Sequence, residues 1–264
     1  MKAEKIQITI KAIEYMKKNI DQEITSEELA GFVGYSAYHF NRIFKEVTGV
    51  PPRQYLTALR IEAGKQILVN SSSSILKALL HVGFRSIGSF SSKFKQLVGI
   101  SPKKFQTTIS ELHQFVNKYD FPLESNADPN DSPYITCYLD VPSDFKGILF
   151  IGLFPRPIPD QHPIIGTALR YNETTCTFSN VPTGSYYVLA AALSKSMNPK
   201  NYFVLDNALR GKADQPIHVQ ENTYSSVRIT LREPLPYDPP ILVNLPKLLF
   251  DKDKIANKKK KSQR

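Results

Sequence analysis

Apolar residues recur at helical spacing from the start of the chain. Ile6, Ile10, Ile13, Met16 and Ile20 alternate with Lys and Glu, which predicts a first amphipathic helix. Thr25-Ser26-Glu27-Glu28 reads as a capping box, since Thr25 can accept from a backbone N–H while Glu28 reaches back to the cap. A second helix follows with Leu29, Ala30, Phe32 and Val33 inward, and Gly34 ends it, because glycine tolerates the left-handed backbone of a sharp turn. Ser36 caps a third helix to near Val47, striped by Phe40, Ile43, Phe44 and Val47. Pro51 and Pro52 open a longer helix to near Val69 that buries Tyr55, Leu56, Leu59, Ala63, Ile67 and Leu68. At 1.5 Å per residue it spans roughly 27 Å, enough to hold two units apart.

The pattern then repeats. Ser71 to Ser74 form a polar break and cap, Ile75, Leu76, Leu79 and Leu80 start a second unit, and Gly83 makes its turn. Ser86 caps a helix striped by Ile87, Phe90, Phe94, Leu97 and Val98, and Gly99 stops it. Gly34-Tyr35-Ser36, Phe40, Phe44-Lys45, Gly49 and Pro52 in the first unit correspond to Gly83-Phe84, Ser86, Phe90, Phe94-Lys95, Gly99 and Pro102 in the second. Phe105 takes the place of Tyr55.

Together these residues resemble the AraC-type DNA-binding domain, two helix-turn-helix units joined by a rigid helix, over about residues 5–107. The resemblance implies that the exposed face of each second helix reads bases. Carried over by position, the first reading face is Ala37, Tyr38, Asn41 and Arg42, and the second is Ile87, Gly88, Ser91 and Ser92. Arg can contact guanine, Asn can pair with adenine, and Tyr can pack on a thymine methyl. The second face departs from the family, which often has glutamine at the position of Ile87 and arginine at that of Ser92. Its small or apolar side chains offer few base hydrogen bonds, so the first unit is expected to carry most of the direct readout. Expected phosphate contacts are Ser36, His39, Lys45, Arg53, Arg85, Ser86, Lys93, Lys103 and Lys104, which set affinity and register rather than sequence. The plain alternative for each charged residue is a solvated surface position. Arg53, Arg60 and Lys65, on or near the connecting helix, stand equally between phosphate contact and surface charge.

After the turn-forming run Asn126 to Pro133, the periodicity changes. Short β-rich runs separated by Pro, Gly and Asn cover Tyr134–Leu139, Gly147–Phe154, Thr174–Phe178, Ser185–Leu193, Tyr202–Leu205, Ile217–Val219 and Ser226–Leu231, with Ile241–Leu245 as an edge strand or tail. This spacing suggests an all-β sandwich. Phe178 to Val188, with Pro182 and Gly184 in a tight turn, resembles transthyretin-like sandwiches; there Tyr187 and Leu189 are expected to alternate into the core. The expected class is therefore a multidomain α + β chain: an all-α double helix-turn-helix domain over 1–110, a linker over 111–132, an all-β sandwich over 133–250 for effector binding or dimerisation, and a basic disordered tail over 251–264.

Charge supports that division. Residues 1–110 hold 16 Lys+Arg against 8 Asp+Glu, a net of +8. Residues 111–246 hold 10 against 14, a net of −4, and residues 247–264 hold 8 against 2, a net of +6. A basic region beside an acidic one favours a polyanionic partner for the former. Hydrophobic content of 41% supports real cores. Two cysteines, Cys137 and Cys176, lie far apart in sequence with no metal spacing, and the first residues do not read as a secretory leader; a reducing cytoplasm is expected. No apolar run is long enough to span a bilayer.

The expected partner is double-stranded DNA, with RNA polymerase and a small-molecule effector beside it, no membrane, no metal and no cofactor, as a monomer or homodimer. An adaptor whose sandwich recruits a protein without a ligand switch is the alternative. A ureide hydrolase on a transthyretin-like sandwich is a weaker one, because its Tyr-Arg-Gly-Ser-like ending and histidines are not matched, and no P-loop, HExxH, G-x-S-x-G or CxxC occurs.

Overall fold

The computed structural model describes residues 2–70, 74–119, 121 and 133–262. The chain divides into two compact units: unit 1 holds residues 1–108 and 235–243, and unit 2 holds 109–234 and 244–264.

Unit 1 begins with α1 (Lys2–Lys18), α2 (Ser26–Val33), α3 (Ala37–Thr48) and α4 (Pro52–Leu68). The α5 (Ile75–His81) and α6 (Ile87–Val98) helices repeat α2 and α3, and α7 (Pro102–Lys118) repeats the start of α4 before running into unit 2. Thr25 and Glu28 form the expected capping box on α2, with Glu28 N donating to Thr25 Oγ1 (3.1 Å) and Thr25 N donating to Glu28 Oε2 (2.7 Å). Gly34 (φ 79°) and Gly83 (φ 69°) both take the left-handed backbone their turns require.

The repeat extends into the core. Phe40 and Phe44 lie 5.6 Å apart, and Phe44 meets Tyr55 edge-on at 5.3 Å. Phe90 and Phe94 lie 5.6 Å apart, and Phe94 meets Phe105 edge-on at 5.4 Å. Each second helix is thus seated by the same three-ring ladder, whose edge-to-face contacts suit the ring quadrupoles. Phe32 departs from the expected inward stripe: it is exposed and stacks on Tyr15 at 4.5 Å. Ile87 likewise leaves the apolar stripe and faces solvent.

Residues 235–243 complete unit 1 from far along the chain. Ile241, Leu242 and Val243 are buried there rather than forming the expected edge strand or tail. Tyr55 Oη donates to the Asp238 carbonyl (2.9 Å). Lys65 is 1% exposed, and its Nζ reaches Glu62 Oε2 (2.8 Å) and the Ile241 carbonyl (3.0 Å).

Unit 2 contains two sheets. The three-stranded sheet has the order β4 (Thr175–Ser179), β1 (Tyr134–Asp140), β8 (Tyr224–Thr230), with β1 antiparallel to β4 and parallel to β8. The other has the order β3 (Ile165–Arg170), β2 (Gly147–Phe154), β5 (Gly184–Ser194), β6 (Leu209–Lys212), and β7 (Ile217–Val219) also pairs with β5. Inward residues of both sheets, including Ile135, Leu139, Leu149, Ile151, Val188 and Ile229, share one core. On β5 the alternation is the reverse of that expected: Tyr186 and Val188 enter this core, whereas Tyr187 and Leu189 do not. Tyr186 Oη donates to the Pro182 carbonyl (2.9 Å), which holds the turn and sets this register.

Unit 2 is not all-β. The α7 helix continues through Lys118 where a linker was expected, and the rest of that linker, 120 and 122–132, lies outside the described residues. Tyr202–Leu205, expected as a strand, instead contains the end of α8 (Lys200–Phe203). The segment expected as a disordered tail belongs to α9 (Leu245–Ser262). Asn244 Oδ1 accepts from Lys247 N (3.1 Å) at the start of α9, Lys247 pairs with Asp251 one turn later, and Phe250 meets Phe115 of α7 edge-on at 5.0 Å. Tyr202 Oη donates to Asn117 Oδ1 (2.7 Å) and accepts from Ser196 N (2.9 Å), tying α8 to α7. Burial raises the Tyr202 phenol above its ordinary range.

Candidate nucleic-acid interface

The two candidate reading helices, α3 and α6, are capped alike. His39 N donates to Ser36 Oγ (3.4 Å), and Ser89 N donates to Ser86 Oγ (3.1 Å). Both cap hydroxyls are therefore engaged in shaping a helix start. Gly49 (φ 84°) and Gly99 (φ 94°) end the two helices. The buried ring ladder fixes one face of each helix and leaves the opposite face to solvent.

On α3 that face carries Tyr38, 83% exposed, with Arg42 one turn on, also exposed. Ala37 and Asn41 are half-buried, and Asn41 Nδ2 donates to the Ala37 carbonyl (2.7 Å). To pair with a base, Asn41 must give up that bond. Lys45 is exposed, and His39 packs its ring on Tyr35 at 5.2 Å. Near Arg42, Glu46 receives a hydrogen bond from Lys5 that lowers its carboxyl from the ordinary range, so it stays ionised beside the guanidinium.

On α6 the face carries Ile87, 52% exposed, with Gly88 and Ser92 exposed and Ser91 half-buried. Lys93 is half-buried and donates to Gln96 Oε1 (2.8 Å). Arg85 is exposed and paired with Glu23. Lys103 and Lys104 open α7 and are exposed, as is Arg53 in the first turn of α4. Neither Arg60 nor Lys65 is a plain surface charge. Arg60 donates to the carbonyls of Ile20 and Gln22 from a partly buried position that lowers its guanidinium from the usual range, and Lys65 is buried.

The expected site residues therefore fall into two exposed patches on α3 and α6, plus flanking cations. Sequence reasoning missed that Arg85 already has a carboxylate partner 62 positions earlier. No local pattern announces such a pair. Among the described residues, no group of three or more His, Cys, Asp or Glu could hold a metal, and no helix is long and apolar enough to cross a membrane.

Two glycine-turned helix pairs, each presenting the outer face of a capped second helix, define a helix-turn-helix DNA-binding protein of the transcription-regulator class. Residues 29–108 match the family described as "Helix-turn-helix domain". The chain is 34% identical over 93 residues to the HTH-type transcriptional regulator ArgR of Pseudomonas aeruginosa, a match covering 35% of this chain but only 28% of that regulator. It is 30% identical over 92 residues to the transposon Tn10 TetD protein of Escherichia coli, covering 35% of this chain and 67% of that protein. A solved AraC-type transcriptional regulator from Chromobacterium violaceum shares 30% identity, with 39% of this chain and 92% of that one covered at a TM-score of 0.37. The chain belongs to the AraC family of helix-turn-helix regulators.

Proposed function

We propose that the protein is a sequence-specific regulator that binds double-stranded DNA with α3 in one major groove and α6 in the next. The observation that carries this reading is the pair of like-capped helices with solvent-facing outer surfaces. In this reading Tyr38, Asn41 and Arg42 read bases, with Ala37 allowing close approach. Ile87, Gly88, Ser91 and Ser92 make a weaker, shape-based contact. Ser36, His39, Lys45, Arg53, Ser86, Lys93, Lys103 and Lys104 face the phosphates, and Arg85 joins them by releasing Glu23.

Unit 2, a transthyretin-like sandwich in this reading, senses a small effector or forms a homodimer, and the bound regulator contacts RNA polymerase in the cytoplasm. The acidic balance of residues 111–246 suits a region that stays off the DNA.

The test is fluorescence anisotropy on duplexes recovered by selection from a random pool. Affinity should fall by orders of magnitude between about 50 and 200 mM salt as counterions return to the phosphates. A flat salt response, or equal binding to selected and scrambled duplexes, overturns the reading. Thermal shift against a metabolite set tests the sensing role, since a ligand of the folded state raises the melting point.

A further inference from the structure

The chain's two cysteines, distant in sequence, meet in the fold. Cys137 on β1 and Cys176 on β4 are register partners in the antiparallel pair, and both side chains lie in the shared core. Their neighbours in the ladder are Ile135 opposite Phe178 on one side and Leu139, whose N–H donates to the Thr174 carbonyl at 2.7 Å, on the other. Residues directly opposed in an antiparallel pair have Cα atoms about 4.5–5.5 Å apart, inside the span a disulfide bridges. A hydrogen bond with Cys176, together with burial, raises the Cys137 thiol far above its ordinary range.

These features set both a capacity and a lock. The geometry needs little backbone movement to form a bond. The Cys137 thiolate, a reactive species, is suppressed while that side chain stays in the core. The lock has a release point, because β4 is an edge strand of the three-stranded sheet and can open locally without breaking β1 from β8.

We propose that Cys137 and Cys176 form a reversible dithiol–disulfide centre, oxidised by low-molecular-weight disulfides. When β4 opens, Cys176 loses its proton to water. Its thiolate attacks one sulfur of the small disulfide, breaking that S–S bond and releasing one thiolate, which takes up a proton. Cys137 then loses its proton, attacks Sγ of Cys176, forms the intrachain bond and expels the second small thiol. Two protein thiols are oxidised, and one small disulfide is reduced to two thiols. The product staples an edge strand to its neighbour and closes a loop that contains β2 and β3. In a reducing compartment the pair rests as thiols, and it responds when the small-disulfide fraction rises.

The test uses the full chain, folded, with glutathione disulfide as the probe. Intact mass should fall by about 2 Da, a linked Cys137–Cys176 peptide should appear, and dithiothreitol should restore both thiols. Mild urea should speed the reaction, because opening of β4 limits it. Cys137→Ser should stop at a stable glutathione adduct on Cys176, since the resolving thiol is gone. The proposal is overturned if the folded chain keeps both thiols under conditions that oxidise the urea-unfolded chain. It is equally overturned if the chain with both cysteines accumulates the adduct instead of the internal bond.

Discussion

Tyr55 on α4 donates its hydroxyl proton to the carbonyl of Asp238, a partner 183 positions later. The same segment supplies the Ile241 carbonyl to buried Lys65. The spacer helix between the two helix-turn-helix units is thus finished by chain from beyond the sheets. Lys65→Met should remove the cation from the buried Glu62 carboxylate and cost about 3–5 kcal/mol, as expected when one member of a buried ion pair is removed. Tyr55→Phe should cost about 1 kcal/mol. Urea unfolding of the full chain, followed by a probe in unit 1, ranks the two; equal or negligible losses would refute the bridging role.

Gly34 and Gly83 occupy the same place in the two repeats and both have positive φ. A Cβ at Gly34 meets nothing within 4 Å, whereas one at Gly83 would lie 2.8 Å from the Ile20 carbonyl oxygen and 3.0 Å from the Arg60 guanidinium. Gly34→Ala should cost about 1 kcal/mol from backbone strain alone. Gly83→Ala should cost more, because the backbone of Ile20 must move as well. Thermal melts that order the two variants the other way would contradict the packing.

Arg42 is exposed on the face of α3 proposed to read bases, whereas Lys93 is half-buried and engaged with Gln96. Arg42→Ala should lose about 1–3 kcal/mol of discrimination between selected and scrambled duplexes. Lys93→Ala should weaken both duplexes alike, or leave both unchanged. Anisotropy titrations check the division, and equal losses of discrimination in the two variants would reject it.

Tyr202 gives unit 2 an alkaline limit. Its phenol is held above the ordinary value by burial, so the folded form keeps a proton that the unfolded form releases. The stabilisation is complete below the unfolded value near 10 and is lost as pH rises through the higher folded value. Tyr202→Phe should flatten the fall in stability above about pH 10. Denaturant midpoints at stepped pH measure this; an unchanged slope would place the limit elsewhere.

Legibility followed locality. Caps, glycine turns and apolar stripes were readable in unit 1 because each depends on residues within a few positions. β2 and β5 were readable for the same reason, as long apolar runs. β6, Leu-Arg-Gly-Lys, was missed because it has little hydrophobic pattern and is held by pairing with β5 and a bridge from Arg210 to Arg232. α8 was misread because Tyr202, Phe203, Val204 and Leu205 have strand-like composition, although Pro199 before them signals a turn. α9 had a readable start in Asn244, a helix-cap residue, and Pro246 in the first turn, outweighed by the lysines that follow. At the interface, the exposed patches were legible from helical period. The Arg85–Glu23 pair and the burial of Lys65 were not, because their partners are brought close only by the fold.

The strap on α4 also sets an order of events during synthesis. Domains made early on the ribosome usually fold as they emerge. Here the amino-terminal helices can assemble at once, yet Lys65 stays without its Ile241 acceptor until residue 241 has been translated. The spacer helix is thereby finished only after the strands of both sheets have been made.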